Sequence, residues 1–80
     1  MIRFRLRELI SDKEFEEDRR ITLEEVANAT GIHRTTLSKI INHKGYVTNT
    51  DVLDRLCIFF GVNTNEVAEH IPPSVSEDEG

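Results

Sequence analysis

The stretch from Thr22 to Ile40 holds two short amphipathic segments separated by a single glycine, and few folds accommodate that arrangement. Thr22 followed three residues later by Glu25 is a capping box, in which each side chain is placed to bond the other residue's free backbone N–H. Ile21 before the cap and Val26 inside the helix form a hydrophobic staple that fixes the entry of the chain. Leu23, Val26, Ala27 and Thr30 then recur at helical spacing and line one face. Gly31 stops this helix, because glycine takes the left-handed conformation a helix C-terminus often needs. A second segment, from about His33 to Asn42, turns Leu37, Ile40 and Ile41 inward, and Asn42-His43-Lys44-Gly45 reads as its end and turn.

The remainder supplies further helices. Val52, Leu53, Leu56, Cys57 and Phe60 share a face of a helix from about Thr50 to Phe60, closed by Gly61. Asn63 with Glu66 repeats the capping pattern, with Val62 and Val67 as a staple, and opens a short fifth helix expected to run to Pro72-Pro73. At the other end, Ile2, Phe4 and Leu6 alternate with Arg3, Arg5 and Arg7, as a strand would. Leu6, Leu9 and Ile10 at helical spacing favour a helix from about residue 4, running into the polar segment 11–20, where its end is not marked. The pattern predicts an all-α domain of about five short helices over residues 1–73, and an acidic, disordered tail over 74–80.

Composition bounds what such a domain does. The chain has 80 residues, 38% of them hydrophobic and 31% charged, which suits one small core and leaves no room for a deep catalytic cleft. It carries no nucleophile elbow, phosphate loop or zinc-protease motif, so an enzyme is not expected. His33, His43, Cys57 and His70 show no metal-ligand spacing, and no metal, cofactor or small-molecule ligand is expected. Cys57 lies on the apolar face with Leu53 and Leu56 and reads as core. A lone cysteine cannot form an internal disulfide, no run is long enough to span a membrane, and the N-terminus lacks a signal-peptide core; the cytosol, with the nucleoid when bound to DNA, is the expected location. The net charge of −5 argues against nucleic acid only as a sum. Between Glu25 and Asp51 there is no acidic residue, and that stretch holds Arg34, Lys39 and Lys44 with His33 and His43. An acid-free basic segment within an acidic chain suits an anionic partner.

Two short helices joined by a tight glycine turn make a helix-turn-helix. The sequence from Thr22 to Ile40 resembles the phage-repressor and Cro type, also called the xenobiotic-response-element family, with a lambda-repressor-like fold. The resemblance rests on Ala27 four residues before Gly31, Ile32 directly after it, and Leu37 and Ile40 as inward residues; it extends over roughly residues 4–71. Ala27 is small where the helices cross, and Val26, Ile32, Leu37 and Ile40 fill the core between them. There are two departures. Leu23 stands where the family often has a glutamine that touches a phosphate or a neighbouring recognition residue, and segment 11–20 is longer and more acidic than the usual connection.

The resemblance implies a transcription regulator, most simply a repressor, that binds double-stranded DNA as a homodimer on half-sites one helical turn apart. The helix from about His33 to Asn42 would enter the major groove. On a helical wheel Thr35 and Lys39 point away from the core, with Thr36, Ser38 and Asn42 beside them and Arg34 in the first turn. His33, Arg34, Thr35, Thr36 and Ser38 are the base-edge candidates: arginine can pair with guanine, and the threonine methyl suits thymine. Thr22, Lys39, Asn42, His43 and Lys44 are the phosphate candidates. The fourth and fifth helices, with Phe59 off the main apolar face, would form the dimer surface. Arg3, Arg5 and Arg7 are either a basic arm on the DNA backbone or neutralising partners of the Glu14–Asp18 cluster. The rival reading keeps the fold and binds a protein, as an antitoxin or adaptor does; the net charge, Leu23 and the acidic tail favour it.

Overall fold

In the computed structural model, which describes residues 1–73, the chain runs β1 (Ile2–Phe4), α1 (Leu6–Glu17), α2 (Leu23–Thr30), α3 (Arg34–Asn42), α4 (Thr50–Phe60), α5 (Thr64–Val67) and β2 (Ala68–His70). The five helices dominate the architecture. Thr22, Gly31 and Gly61 mark helix ends as expected, and Asn49 and Asp18 add two that were not foreseen. Thr22 accepts the backbone N–H of Glu25 at 3.1 Å, and Asn49 accepts that of Val52 at 2.9 Å. Gly31 and Gly61 close α2 and α4 at φ +77° and +67°, a region an L side chain enters only at a cost. Asp18 closes α1 in the same region, at φ 55°.

Two expectations at the chain ends are corrected. Helix α1 begins at Leu6, not near residue 4, because residues 2–4 form a strand. Helix α5 stops at Val67, well short of Pro72-Pro73, because residues 68–70 straighten into the antiparallel partner of β1. The register sets Ile2 opposite His70, Arg3 opposite Glu69 and Phe4 opposite Ala68. The alternation at the N-terminus was therefore a strand signal, but its partner lies at the far end of the sequence. Arg3 bonds Glu69 across the pair at 2.8 Å, and Met1 and Ile71 exchange backbone hydrogen bonds at 3.0 and 2.8 Å. The small sheet thus ties the two ends of the described chain together. The tail expected over 74–80 lies outside the described residues.

One core joins these elements. Leu6, Ile21, Val26, Ile32, Leu37, Ile40, Leu56 and Val67 are buried, with Leu9, Ile10, Leu23, Ala27, Ile41, Leu53 and Cys57 packed partly against them. Every helix contributes to it, so no element can move far without opening the core. Burying a residue such as Leu37 or Leu56 completely stabilises the fold by roughly 1.5–3 kcal/mol. Both residues of the Ile21/Val26 staple are buried. No helix of the described residues is long and apolar enough to cross a membrane.

Candidate nucleic-acid interface

The turn between α2 and α3 is held by four hydrogen bonds that start or end on Thr30, Gly31 and Ile32. Thr30 is 8% exposed, the one buried polar residue among those described. Its hydroxyl donates to the Val26 carbonyl at 2.7 Å and accepts from the Ile32 backbone N–H at 3.1 Å. Gly31 donates its N–H to the Ala27 carbonyl at 2.8 Å. From α4, Arg55 donates to the Thr30 carbonyl at 2.8 Å and holds Asp51 at 2.8 Å. A Cβ on Gly31 would lie 2.8 Å from that guanidinium, a second reason for glycine there. Buried backbone groups left unpaired would cost free energy, and here a side chain from another helix meets the demand. Arg55 escaped the reading of the sequence. Its spacing from Asp51 marks an ion pair on a helix face, but nothing local says that the same guanidinium reaches back 25 residues.

Helix α3 starts immediately beyond this turn. His33 is its N-cap, as its position suggested, and its Nδ1 accepts the Thr35 backbone N–H at 3.0 Å. That bond occupies one ring nitrogen and leaves Nε2 as the outward group. Leu37 and Ile40 are buried and Ile41 half-buried, which fixes the rotation of the helix. Arg34, Thr35, Lys39 and Asn42 are exposed as a result, with Thr36 and Ser38 half-buried at the flanks. His43, Lys44 and Gly45 continue the exposed run, and Thr22 lies exposed at the start of α2. His33, Arg34, Thr35, Thr36 and Ser38 thus lie in one short stretch of α3 and its cap. Lys39, Asn42, His43 and Lys44 follow toward its C-terminal end; Thr22 comes from the neighbouring helix. Thr22 spends its hydroxyl oxygen on the Glu25 N–H, and its own hydroxyl proton remains available to an acceptor.

Pairing distinguishes the cations of this surface from Lys13, Arg19 and Arg55, while Arg5, Arg7 and Arg20 are also without an ion pair among the described residues. Among the described residues Arg34, Lys39 and Lys44 make no ion pair, whereas Arg3, Lys13, Arg19 and Arg55 all do. The acidic connection that departed from the family pattern is paired in part from within. Arg19 bonds both carboxylate oxygens of Glu25 and reaches Glu17 at 2.9 Å; Lys13 meets Glu17 at 2.8 Å. Hydrogen bonding from Arg19 holds the Glu25 carboxyl below the usual glutamate range, and bonding from Lys13 does the same for Glu17. Glu25 therefore does not close the capping box on Thr22, and only the Thr22 half of that box forms. Glu14 is also spent locally, accepting the Ile21 N–H at 2.8 Å.

None of Arg3, Arg5 and Arg7 pairs with the Glu14–Asp18 cluster. Arg3 binds Glu8 and Glu69 instead of the Glu14–Asp18 cluster. Arg7 carries no ion pair among the described residues and reaches α3, donating to Asn42 Oδ1 at 3.2 Å. Asn42 in turn donates to Ser38 Oγ at 3.4 Å. Leu23, which cannot make the family's polar contact, packs against the core. Phe59 is half-buried, with an edge-on contact to Phe60 and the Lys13 ammonium 5.1 Å from its ring centre. No cluster of potential metal ligands occurs among the described residues.

A capped, glycine-turned pair of helices that buries one face and exposes the basic side of its second helix defines the helix-turn-helix class of DNA-binding domain. The chain belongs to the Cro/C1-type helix-turn-helix DNA-binding domain family, whose model matches residues 5–73. No curated protein and no solved structure gives a match.

Proposed function

We propose that this protein is a sequence-specific transcription regulator of the cytosol, most simply a repressor, that sets α3 into the major groove of double-stranded DNA. The observation that carries this is the exposed face of α3 centred on Thr35 and Lys39, a helix without an acidic residue whose cations pair with no described carboxylate. A protein-binding version of the fold would favour an apolar or neutral surface there. Arg34, in the first turn of α3, reads a guanine through O6 and N7. Thr35, Thr36 and Ser38 read neighbouring base edges, with the His33 Nε2 beside them. Lys39, Asn42, His43, Lys44 and Thr22 hold phosphates and set the register. The domain, residues 1–73, acts as a homodimer on half-sites one helical turn apart, needs no cofactor and catalyses no reaction.

The test is selection from a pool of random duplex DNA over several rounds at about 150 mM salt, near physiological ionic strength. Enrichment of a palindromic motif is expected, and its half-site spacing reports the dimer. Weak binding that enriches nothing and vanishes as salt rises would leave only non-specific electrostatics, and the function would lie with a protein partner.

A further inference from the structure

A cleft of about 350 Å³ separates the N-terminal strand and the start of α1 from the C-terminal end of α3. One wall carries Arg3, Arg7 and Glu8; the other carries Asn42, His43 and Lys44. These groups differ in how far they are committed. Arg3 is held by Glu8 and Glu69, and Glu8, the one carboxylate on the wall, is itself engaged by Arg3. Arg7 gives one N–H to Asn42 and makes no ion pair among the described residues. A guanidinium has five N–H donors in a planar fork, so most of its donor capacity is uncommitted. Lys44 is likewise without an ion pair and exposed.

We propose that Arg7, together with Asn42 and Lys44, forms a phosphate site that grips the DNA backbone beside α3, so that a residue outside the helix-turn-helix extends its footprint. The inference rests on the DNA-binding reading above. Two observations favour a phosphate over another anion. Arg7 and Lys44 line one cleft, and a planar fork beside an ammonium suits a tetrahedral group offering several acceptor oxygens. The Arg7–Asn42–Ser38 chain also joins this opening to the exposed surface of α3, where the base-edge candidates lie. Arg7 therefore has a second role: by fixing the Asn42 amide it holds the end of the chain that leads to Ser38.

Ethylation interference on the selected duplex tests this, comparing wild type with Arg7→Gln and Arg7→Lys. Arg7→Gln is expected to lose one interfering phosphate per half-site. Its salt slope should fall by about one per half-site and its affinity by about fivefold per half-site at 150 mM salt, the effect of one counterion no longer released. Arg7→Lys should restore the slope, because the charge returns, but not the full affinity, because the fork does not. Thermal melting in the absence of DNA is expected to match wild type, since Arg7 is exposed. A wild-type interference pattern that Arg7→Gln reproduces with unchanged slope overturns this proposal alone. A wild-type chain with no interference on any selected duplex overturns the DNA-binding reading and this proposal together.

Discussion

Lys13, Arg19 and Arg55 on one side and Arg34, Lys39 and Lys44 on the other are the same residue types put to opposite ends. Lys13, Arg19 and Arg55 are each within 3 Å of a carboxylate oxygen, at 2.8, 2.9 and 2.8 Å, and are spent inside the molecule. Arg34, Lys39 and Lys44 have no such partner among the described residues. A chain of net charge −5 can therefore keep one face for an anion, because the acids cluster where they neutralise their own neighbours. Net charge governs long-range approach; the distribution of unpaired cations governs where contact is made.

The comparison breaks most visibly if the core beneath α3 is removed. Leu37 has no exposed surface, and Leu37→Ala is expected to cost roughly 2–5 kcal/mol. In a domain this small that unfolds much of the population, so urea denaturation should show a collapse of stability and DNA binding should fall in step. Stability within 1 kcal/mol of wild type would mean that α3 is not held by the core described here.

Removing an exposed cation separates the faces more finely. Arg34→Ala should leave the melting temperature unchanged, weaken binding by about 1–3 kcal/mol and relax preference at one base pair. Lys44→Ala should weaken binding to all sequences alike and flatten the salt slope by about one. Competition binding against single-base variants of the site distinguishes the two; a uniform loss for Arg34→Ala would move it to the phosphate group.

Arg55→Ala sharpens the contrast from the other side. It strips the Thr30 carbonyl and Asp51 of a charged donor, and stability should fall by about 1–2 kcal/mol, less than for a fully buried bond because the side chain is half exposed. Binding should weaken only as far as the unfolded fraction rises, with the salt slope intact. A lowered slope would place Arg55 on the DNA.

The smallest effect concerns the clamp at the start of α2. Glu25 and Glu17 are held below their ordinary value of 4.5, so the stability they contribute is present above that value and is lost as pH falls through their lowered folded values. Arg19→Ala should therefore lower stability slightly at neutral pH and leave it nearly unchanged at the acid end. Melting curves from pH 7 to pH 3 check this, and an equal loss at all pH values would contradict it. Both carboxyls are at the surface, and solvent screening keeps the effect small.

Much of this was legible in the sequence because it is encoded locally. The cap at Thr22, the glycine stops at Gly31 and Gly61, and the inward face of α3 depend on residues within one or two turns of each other. What escaped depends on distant partners. The Ile2–Phe4 strand looked like the start of a helix because its partner, Ala68–His70, lies at the other end of the described chain, and a strand signal without a visible partner loses to helical spacing. Arg55 over the turn and Arg7 on Asn42 join residues 25 and 35 positions apart, and no periodicity reports such a bond. The capping box at Thr22 was half right because Arg19 competes successfully for Glu25. Burial of Leu37 and Ile40 sets which side of α3 faces outward, so the exposed side was readable from the pattern.

The most direct measurement compares two double variants that change net charge equally. Lys39→Gln with Lys44→Gln removes two unpaired cations; Lys13→Gln with Arg19→Gln removes two paired ones. Binding to the selected duplex across a salt series is expected to show the first pair losing about two from the salt slope per half-site and more than tenfold in affinity, with the second pair near wild type on both. Equal losses from the two pairs would mean that DNA responds to overall charge alone, and the assignment of the α3 face as the DNA-binding surface would be wrong.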